Sequence, residues 1–493
     1  MNTAIGLILA RSWMNVCGLL SFLVVARFVT PAEIGIYALA SSVILLPTSL
    51  VGAGYSEHVI SRDPERHDTA TAFWSVVATG VIGTLLGLVA ATVTDALLDQ
   101  PEIARIIALM APLSLLWAVT VVPEAVLIRD GRGSALAAVP FTADTLGLLA
   151  LVVVLLLDGG VMALVVNRLV SSAVLLAGYL GAARLPPRLW HFDLAAAKRI
   201  GWFSLGVVGS RLAGWANQFG TELIIGVVLS TTAVGYFRMA SRLAGALFSI
   251  VTQGPNPAQL AYFGRSTAAP HKAYLHALRL HLSLVMPILV GAAMAAPTLI
   301  EVLLGPTWQP SALVFSILCI GSLATIGSGV GATLLISRGR SHRVFMIHTA
   351  TAIATVAAML LGAQFGLAAT AIAKLLVVTV FFGVTAAVIE ELRPTGLQQT
   401  MRILGATAAP GVAMALAMGI VLLLWPAPTE TVVSLLRITL AGVLGLAAYV
   451  AVTLLALRRT ATLWRVLLLK KWGRRRPLPR ILGRGWRFGT LSP

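Results

Sequence analysis

The hydrophobic pattern of this chain consists of long apolar stretches, each bounded by charged residues or by turn-forming residues. An apolar stretch of about 18 or more residues is long enough to cross a membrane as a helix. The pattern predicts about fourteen such helices, and one of them contains Pro287 and Pro297, which membrane helices tolerate. Their expected extents are 4–28, 34–56, 73–98, 104–128, 136–157, 160–182, 202–228, 233–262, 276–303, 311–337, 344–364, 366–390, 403–425 and 431–457.

The connections between these helices alternate in charge. Every second connection carries Lys or Arg, beginning with Arg62 and Arg66 and ending with Arg393 and Arg402. The intervening connections are short and contain no Lys or Arg, and the one at 99–102 is acidic. Because basic loops stay on the cytoplasmic side, we expect both termini to be cytoplasmic, which requires an even number of spans.

Composition supports this membrane assignment and narrows the function. Of the 493 residues, 58% are hydrophobic and 11% are charged, which excludes a soluble enzyme or a disordered regulator. The formal net charge is +18, and eleven Lys or Arg without any Asp or Glu lie in the tail at 458–493. A basic tail after a span is typical of contact with anionic phospholipid, so we do not expect nucleic acid as a partner. Cys17 and Cys319 are predicted to be small buried hydrophobic residues.

The short connections argue against several kinds of membrane enzyme. No outer connection exceeds about seven residues, too few for the catalytic loop of a glycan polymerase or ligase. Neither a GxxxxGK[ST] motif nor an HExxH motif is present, so we expect no ATP-driven pump, no zinc enzyme and no resident metal or cofactor. The sequence therefore favours a transporter over an enzyme.

The chain also contains an internal repeat. An offset of 200 positions aligns 35–41, Gly-Ile-Tyr-Ala-Leu-Ala-Ser, with 235–241, Gly-Tyr-Phe-Arg-Met-Ala-Ser, and the same offset matches Arg11 with Arg211. An offset of 208 pairs Leu127-Ile128 and Gly131-Arg132 with Leu335-Ile336 and Gly339-Arg340. The copies start an even number of spans apart and therefore cross the membrane in the same direction. In such parallel repeats the substrate site lies where the two halves meet.

The predicted fold class is an all-α polytopic membrane protein of two parallel six-helix lobes with two additional helices. We expect an N-terminal lobe at 1–182, a cytoplasmic linker at 183–201, a C-terminal lobe at 202–390, two helices at 403–457 and a polybasic cytoplasmic tail at 458–493. Gly35 and Gly235 are expected to mark equivalent bends at the outer gate.

Ionisable residues inside the predicted spans are candidate functional residues because their burial in a membrane is costly. Cations outnumber acids among them, and the arginine fork matches phosphate oxygens two at a time. We therefore expect a diphosphate-binding cavity lined by Arg11, Arg211, Arg238 and Arg242, with Arg168 and Lys374 as less central members. The alternative is that each arginine pairs with an acid or a helix end and stabilises packing. Asp144 and Glu222 are candidates for binding a proton or a sodium ion, and Glu222 is also a candidate structural partner of an arginine.

Three segments resemble a known family. They are 26–37, Ala-Arg-Phe-Val-Thr-Pro-Ala-Glu-Ile-Gly-Ile-Tyr; 233–242, Ala-Val-Gly-Tyr-Phe-Arg-Met-Ala-Ser-Arg; and 303–310, Leu-Leu-Gly-Pro-Thr-Trp-Gln-Pro. Their order and spacing are similar to those of the Wzx-type polysaccharide and O-antigen flippases. These flippases belong to the multidrug/oligosaccharidyl-lipid/polysaccharide (MOP) exporter superfamily, together with lipid II flippases and MATE exporters.

The resemblance implies a flippase of the bacterial inner membrane. Such a protein moves undecaprenyl-diphosphate-linked oligosaccharide to the periplasmic leaflet by alternating access, for lipopolysaccharide or exopolysaccharide biosynthesis. In the similar lipid II flippases, arginines on the first, second and eighth helices line a cationic cavity. Arg11 and Arg27 match the first helix, and Arg238 and Arg242 match the eighth, whereas the stretch 34–56 carries no arginine.

The resemblance also implies a groove for the lipid tail at the last two helices and contact with the polysaccharide polymerase or chain-length machinery. Two other functions stay open. One is a cation-coupled multidrug exporter of the same superfamily, which would need acids in its cavity. The other is a membrane-embedded glycan polymerase or ligase, which would need a large outer loop. Coupling to a sodium ion or a proton is also open.

Overall fold

A computed structural model describes residues 2–52, 54–61, 66–183, 192–252, 263, 270–388, 396–425 and 431–456. These residues form helices and connections, and no strand occurs among them. The first half of the chain contains α1 (Asn2–Val25), α2 (Pro31–Leu50), α3 (Tyr55–Ser61), α4 (Arg66–Leu98), α5 (Pro101–Met110), α6 (Leu113–Arg129), α7 (Gly133–Leu156) and α8 (Met162–Ala182).

Among the described residues, the second half contains eight further long helices and one short 3₁₀ turn at Pro306–Trp308. The helices are α9 (Leu194–Val228), α10 (Thr231–Thr252), α11 (Pro270–Leu304), α12 (Pro310–Ser337), α13 (Ser341–Ala363), α14 (Leu367–Val388), α15 (Gly396–Leu424) and α16 (Thr431–Ala456). The predicted tail at 458–493 and most of the predicted linker at 183–201 lie outside the described residues.

Eleven helical segments within the described residues are long and apolar enough to cross a membrane, so the prediction of a multi-pass membrane protein is confirmed. Helices α1, α9 and α10 are also long, with 24, 35 and 22 residues. The continuous apolar parts described in α1 and α9 are shorter, at Trp13–Val25 and Gln218–Val228, and α10 carries two arginines. The count of fourteen spans and the cytoplasmic termini stay predictions.

Two predicted spans differ from the observed helices. The expected span 104–128 is confirmed as one apolar segment, Pro101–Arg129, but its helix is divided into α5 and α6 at Ala111 and Pro112, because proline lacks the N–H that would continue the helical hydrogen bonds. The expected helix 34–56 ends at Leu50 as α2, and a turn with left-handed glycines at 52 and 54 (φ 73° and 83°) leads into α3. Pro287 and Pro297 lie within the single helix α11.

The helices pack as two bundles with a pair of helices at one side. In the N-terminal bundle, α1 packs on α7, α7 on α8, and α4 on α5 and α6. In the C-terminal bundle, α10 and α14 pack on α12, and α13 packs on α9 and α14. The bundles meet mainly where α2 contacts α9 and α10. Helices α15 and α16 pack on each other and on α11, through a cluster that includes Met286, Met414 and Met418.

The two central helices begin in the same way. Thr30 caps α2 in a capping box, in which its hydroxyl accepts from the Glu33 N–H (3.4 Å) and the Glu33 carboxylate accepts from the Thr30 N–H (2.9 Å). Ser230, at the 200-residue offset from Thr30, accepts from the Ala233 N–H (3.1 Å) at the start of α10. These caps fix the first turns of the two helices that join the bundles.

Candidate functional site

The site is built around α10, which begins in very close contact with α2. A Cβ atom at Gly35 would overlap the Thr231 carbonyl oxygen, and a Cβ at Gly235 would overlap the Pro31 carbonyl oxygen. The contact is therefore reciprocal and requires glycine on both helices. Both glycines lie inside helices, where they allow the two backbones to approach; the gate role stays a prediction.

A second contact joins the bundles near the same end. The Arg27 guanidinium donates to the Leu303 carbonyl (3.2 Å) and to the Val302 carbonyl at the C-terminus of α11. The buried Trp308 indole donates to the Ala26 carbonyl (3.0 Å). Arg27, which the resemblance placed in the cavity, is therefore engaged with a helix C-terminus, where cations are favourable. The Gly-Pro-Thr-Trp segment provides the indole of this contact.

One turn after Gly235, a buried ion pair within the C-terminal bundle is hydrogen-bonded to α2 across the interface. The Arg238 guanidinium donates to Glu222 of α9 (2.8 Å) and to the Ser41 hydroxyl of α2 (2.6 Å). The Ser42 hydroxyl donates to the other oxygen of Glu222 (2.9 Å), and the side chains of Arg238 and Glu222 are each 4% exposed. Of the two sequence alternatives for Arg238, the observed geometry matches the structural one: it is paired with an acid.

Arg242 lies one turn further along α10 and has a different environment. Its side chain is exposed, and its guanidinium lies 4.7 Å from the centre of the Phe22 ring of α1. Within the described residues it has neither a hydrogen bond nor an ion pair. The charges close enough to act on it are two cations, Arg238 and Arg168, and the carboxylate of Glu222, which Arg238 already neutralises. Arg242 therefore offers an uncompensated positive charge between the bundles.

Two further predicted cations face the interior from equivalent helices. Arg168 of α8 lies 6.0 Å from the centre of the Trp117 ring, and its charge acts on Asp144 of α7. Lys374 of α14 lies 5.8 Å from the centre of the Phe237 ring, and the acid that acts on it is Glu222. Arg238 and Arg168 are thus electrostatic neighbours of Arg242, and Lys374 shares the acid Glu222 with Arg238.

Less is known of the surroundings of two other predicted site residues, Arg11 and Arg211. Arg211 is exposed on α9, and the side chain of Arg11 in α1 lies outside the described residues. The sequence reasoning assigned no role to Ser41, Ser42 or Phe22, although the internal repeat had matched Ser41 with Ser241. Hydroxyl residues are common in these helices, so composition alone does not distinguish the two serines.

The part of the chain that the structure describes contains no cluster of three or more His, Cys, Asp or Glu residues suited to a metal ion. Cys17 and Cys319 are free and buried, as predicted. A cavity of about 630 Å³ lies in the C-terminal bundle and is lined by residues of α9, α10, α12, α13 and α14, including Lys374.

Several solved structures share this architecture. The lipid II flippase MurJ in an inward closed conformation has a TM-score of 0.73 and 9% identity, covering 93% of this chain and 100% of that chain. An inward-facing multidrug resistance MATE transporter of the MOP superfamily has a TM-score of 0.61 and 16% identity, covering 80% of this chain and 96% of that chain. The described helices therefore share the fold of these two transporters, which confirms the predicted fold type.

A protein-family model described as "Polysaccharide biosynthesis protein" matches residues 24–313 of this chain. The chain belongs to this polysaccharide biosynthesis protein family. It is also similar to the succinoglycan biosynthesis transport protein ExoT of Rhizobium meliloti, with 25% identity over 348 residues, 69% of this chain and 69% of that protein. The resemblance inferred from the three sequence segments is confirmed.

Proposed function

We propose that the protein moves undecaprenyl-diphosphate-linked oligosaccharide from the cytoplasmic to the periplasmic leaflet of the bacterial inner membrane. The observation that carries this proposal is Arg242, whose charge is uncompensated within the described residues. A guanidinium holds two phosphate oxygens through parallel hydrogen bonds and stays protonated in a site of low dielectric constant. Arg11 and Arg211 supply the other cations for the diphosphate.

The family and the relatives support a lipid-linked sugar as the substrate. The family is one of polysaccharide biosynthesis, ExoT is named as a transport protein of that process, and MurJ, which shares the fold, is named as a lipid II flippase. In this proposal the glycan and its diphosphate enter between the bundles, and the prenyl tail stays in the lipid near α15 and α16. The basic tail contacts anionic phospholipid, and the polymerase or chain-length machinery receives the product.

The position of Arg242 suits alternating access. It lies seven residues beyond Gly235, or roughly 10 Å along α10 at 1.5 Å per residue. The bundles are in contact at Gly35 and Gly235, and the guanidinium of Arg242 is accessible further along the same helix. We propose that rocking of the bundles opens the glycine contact and releases the diphosphate on the periplasmic side.

Glu222 and Asp144 have separate places in this mechanism. Glu222 is held by Arg238 within the C-terminal bundle and by Ser42 across the interface, so we assign it to closure of the two bundles. Asp144 lies beside Arg168 in the N-terminal bundle and stays the candidate for binding a proton or a sodium ion. A cation-coupled drug exporter would require a negatively charged cavity. The test below includes an outcome that would support this alternative function.

The test is a flipping assay in liposomes that contain fluorescent undecaprenyl-diphosphate oligosaccharide, with accessibility to an external quencher as the readout. We expect translocation by the wild type, and a loss of about 10- to 100-fold in Arg242→Ala and in Arg11→Ala, the size of a lost charge-assisted contact. Arg105→Ala is the matched control, because Arg105 is exposed on α5 away from α10. Full activity in both site variants would remove the anion site. Efflux of a cationic dye without translocation would assign the drug exporter.

A further inference from the structure

The cavity of about 630 Å³ in the C-terminal bundle is a second candidate site, distinct from Arg242. Its volume lies within the range of about 300–1,000 Å³ that is typical of small-molecule sites. Lys374 lines it, together with residues of α10, α12 and α13. The residues that line the cavity include neither Asp nor Glu, so the charge it presents is positive.

Lys374 has no carboxylate within ion-pair distance among the described residues. The acid that acts on it from further away, Glu222, is already paired with Arg238 at 2.8 Å. The Phe237 ring lies 5.8 Å from the Lys374 ammonium and gives it partial compensation. Lys374 is half-buried, and an ammonium inside a membrane protein without an acid is costly, which favours an anionic group from a ligand as its partner.

Comparison of the two bundles shows that this missing acid is specific to the C-terminal one. Gly160 and Gly366 precede α8 and α14 with left-handed backbone angles (φ 51° and 103°). When these glycines are aligned, Arg168 of α8 and Lys374 of α14 occupy equivalent sequence positions. Asp144 of the neighbouring helix α7 is close enough to Arg168 for an electrostatic interaction, although the two are not within ion-pair distance, and Asp144 is not paired with another cation among the described residues. The corresponding positions of α13 are 350–352, Ala-Thr-Ala. The C-terminal bundle therefore keeps the cation and lacks the acid.

The rest of the lining suits the hydroxyl groups of a sugar. The hydroxyls of Ser322, Thr325, Ser328 and Thr385 each donate to a carbonyl of their own helix. Their oxygen lone pairs therefore remain available to accept hydrogen bonds from a ligand. Most of the other lining residues are apolar and suit the apolar faces of a sugar ring. A ligand that donates through hydroxyls and carries one negative charge therefore matches this largely apolar cavity with its hydroxyl acceptors and its ammonium.

We infer that this cavity is a subsite for an acidic sugar residue, one that carries a carboxylate, within the transported oligosaccharide. The inference rests on the proposed function and deepens it by assigning the substrate class. The carboxylate binds the Lys374 ammonium, and the sugar hydroxyls donate to the Ser and Thr oxygens. The diphosphate binds at Arg242, because two phosphates need a guanidinium fork that a single ammonium does not provide.

The first test measures binding without transport. Methyl β-D-glucuronide and its neutral counterpart, methyl β-D-glucoside, are titrated into the purified protein by saturation-transfer NMR. We expect the glucuronide to bind at least tenfold more tightly than the glucoside to the wild type, and this preference to disappear in Lys374→Met. Lys198→Met is the matched control, since Lys198 is exposed at the start of α9 and does not line the cavity. Equal binding of both sugars to the wild type would overturn the inference.

The second test separates the inference from the proposed function. Two lipid-linked oligosaccharides that differ only in one glucuronate or glucose residue are compared in the flipping assay. We expect Lys374→Met to slow the acidic substrate about tenfold more than the neutral one. An equal loss for both would assign Lys374 to the diphosphate or to packing and overturn the subsite. If the wild type flips neither substrate, the proposed function fails, and glucuronide binding alone then decides the inference.

A third variant restores the acid that the comparison of the bundles finds missing. Thr351 lines the cavity at one of the positions that correspond to Asp144. Thr351→Asp should pair with Lys374 and abolish the preference for glucuronide, whereas Thr351→Asn, of similar size and without charge, should retain it. Retention of the preference in Thr351→Asp would contradict the proposed role of Lys374.

Discussion

Arg238 and Arg242 are one turn apart on α10, yet their surroundings differ completely. Arg238 is 4% exposed and is bound by Glu222 and Ser41, whereas Arg242 is exposed and has a ring face as its neighbour. A buried cation with an acid stabilises a particular packing, and a cation without one is available to a ligand. The comparison shows that the position of an arginine in a membrane helix does not by itself indicate a role in binding. The partners of its guanidinium distinguish a structural role from a ligand-binding one.

The largest effect is expected at Arg238. Glu222→Ala leaves its guanidinium buried without an acid, which should lower the free energy of unfolding by about 3–5 kcal/mol. The measurement is thermal or denaturant unfolding of the purified protein in detergent. The double variant Glu222→Leu/Arg238→Met should regain most of the lost stability, because neither charge is then left alone. Wild-type stability in Glu222→Ala would show that the pair does not hold α2 against α9 and α10.

A smaller effect is expected from a conservative change at Arg242. Arg242→Lys keeps the charge and loses the fork, so flipping should fall about tenfold, less than in Arg242→Ala. Unfolding should stay within about 0.5 kcal/mol of the wild type, since the guanidinium is exposed and has no acid to lose. Measuring both flipping and unfolding distinguishes the ligand-binding role of Arg242 from the structural role of Arg238. A stability loss as large as that of Glu222→Ala would cancel the distinction between the two arginines.

The smallest effect concerns Arg27, a third arginine that is exposed yet engaged. Arg27→Ala removes a cation from the C-terminus of α11 and should lower the free energy of unfolding by about 0.3–1 kcal/mol, with flipping nearly unchanged. The same unfolding and flipping assays check this. A loss of flipping comparable to that of Arg242→Ala, without a loss of stability, would return Arg27 to the cavity that the resemblance implied.

Most of the helices could be predicted from the sequence because a membrane-spanning helix requires an apolar stretch of about 18 or more residues. Most expected spans lie within a few residues of an observed helix, and the aligned residues Gly35 and Gly235 lie near the starts of α2 and α10. The division of 104–128 at Pro112 was missed, because proline is tolerated in many membrane helices and its local effect depends on packing.

The candidate site was predicted only as a set of residue types. Arg238 and Arg242 were both proposed as ligands of a diphosphate, and the sequence offered no means to separate them. Which of them faces Glu222 depends on how α9 and α10 rotate against α2, a property of three-dimensional packing. The serine hydroxyls that complete the ion pair were unassigned for the same reason.

The reciprocal contact of α2 and α10 has the geometry of a symmetric dimer within one polypeptide. Pro31 and Gly35 meet Thr231 and Gly235 as identical subunits meet at a two-fold axis, where each side presents the same surface to the other. In such an interface one patch of surface is complementary to its own copy. The two glycines therefore belong to a single contact to which each half of the chain contributes one residue, so a substitution of either glycine changes the same contact.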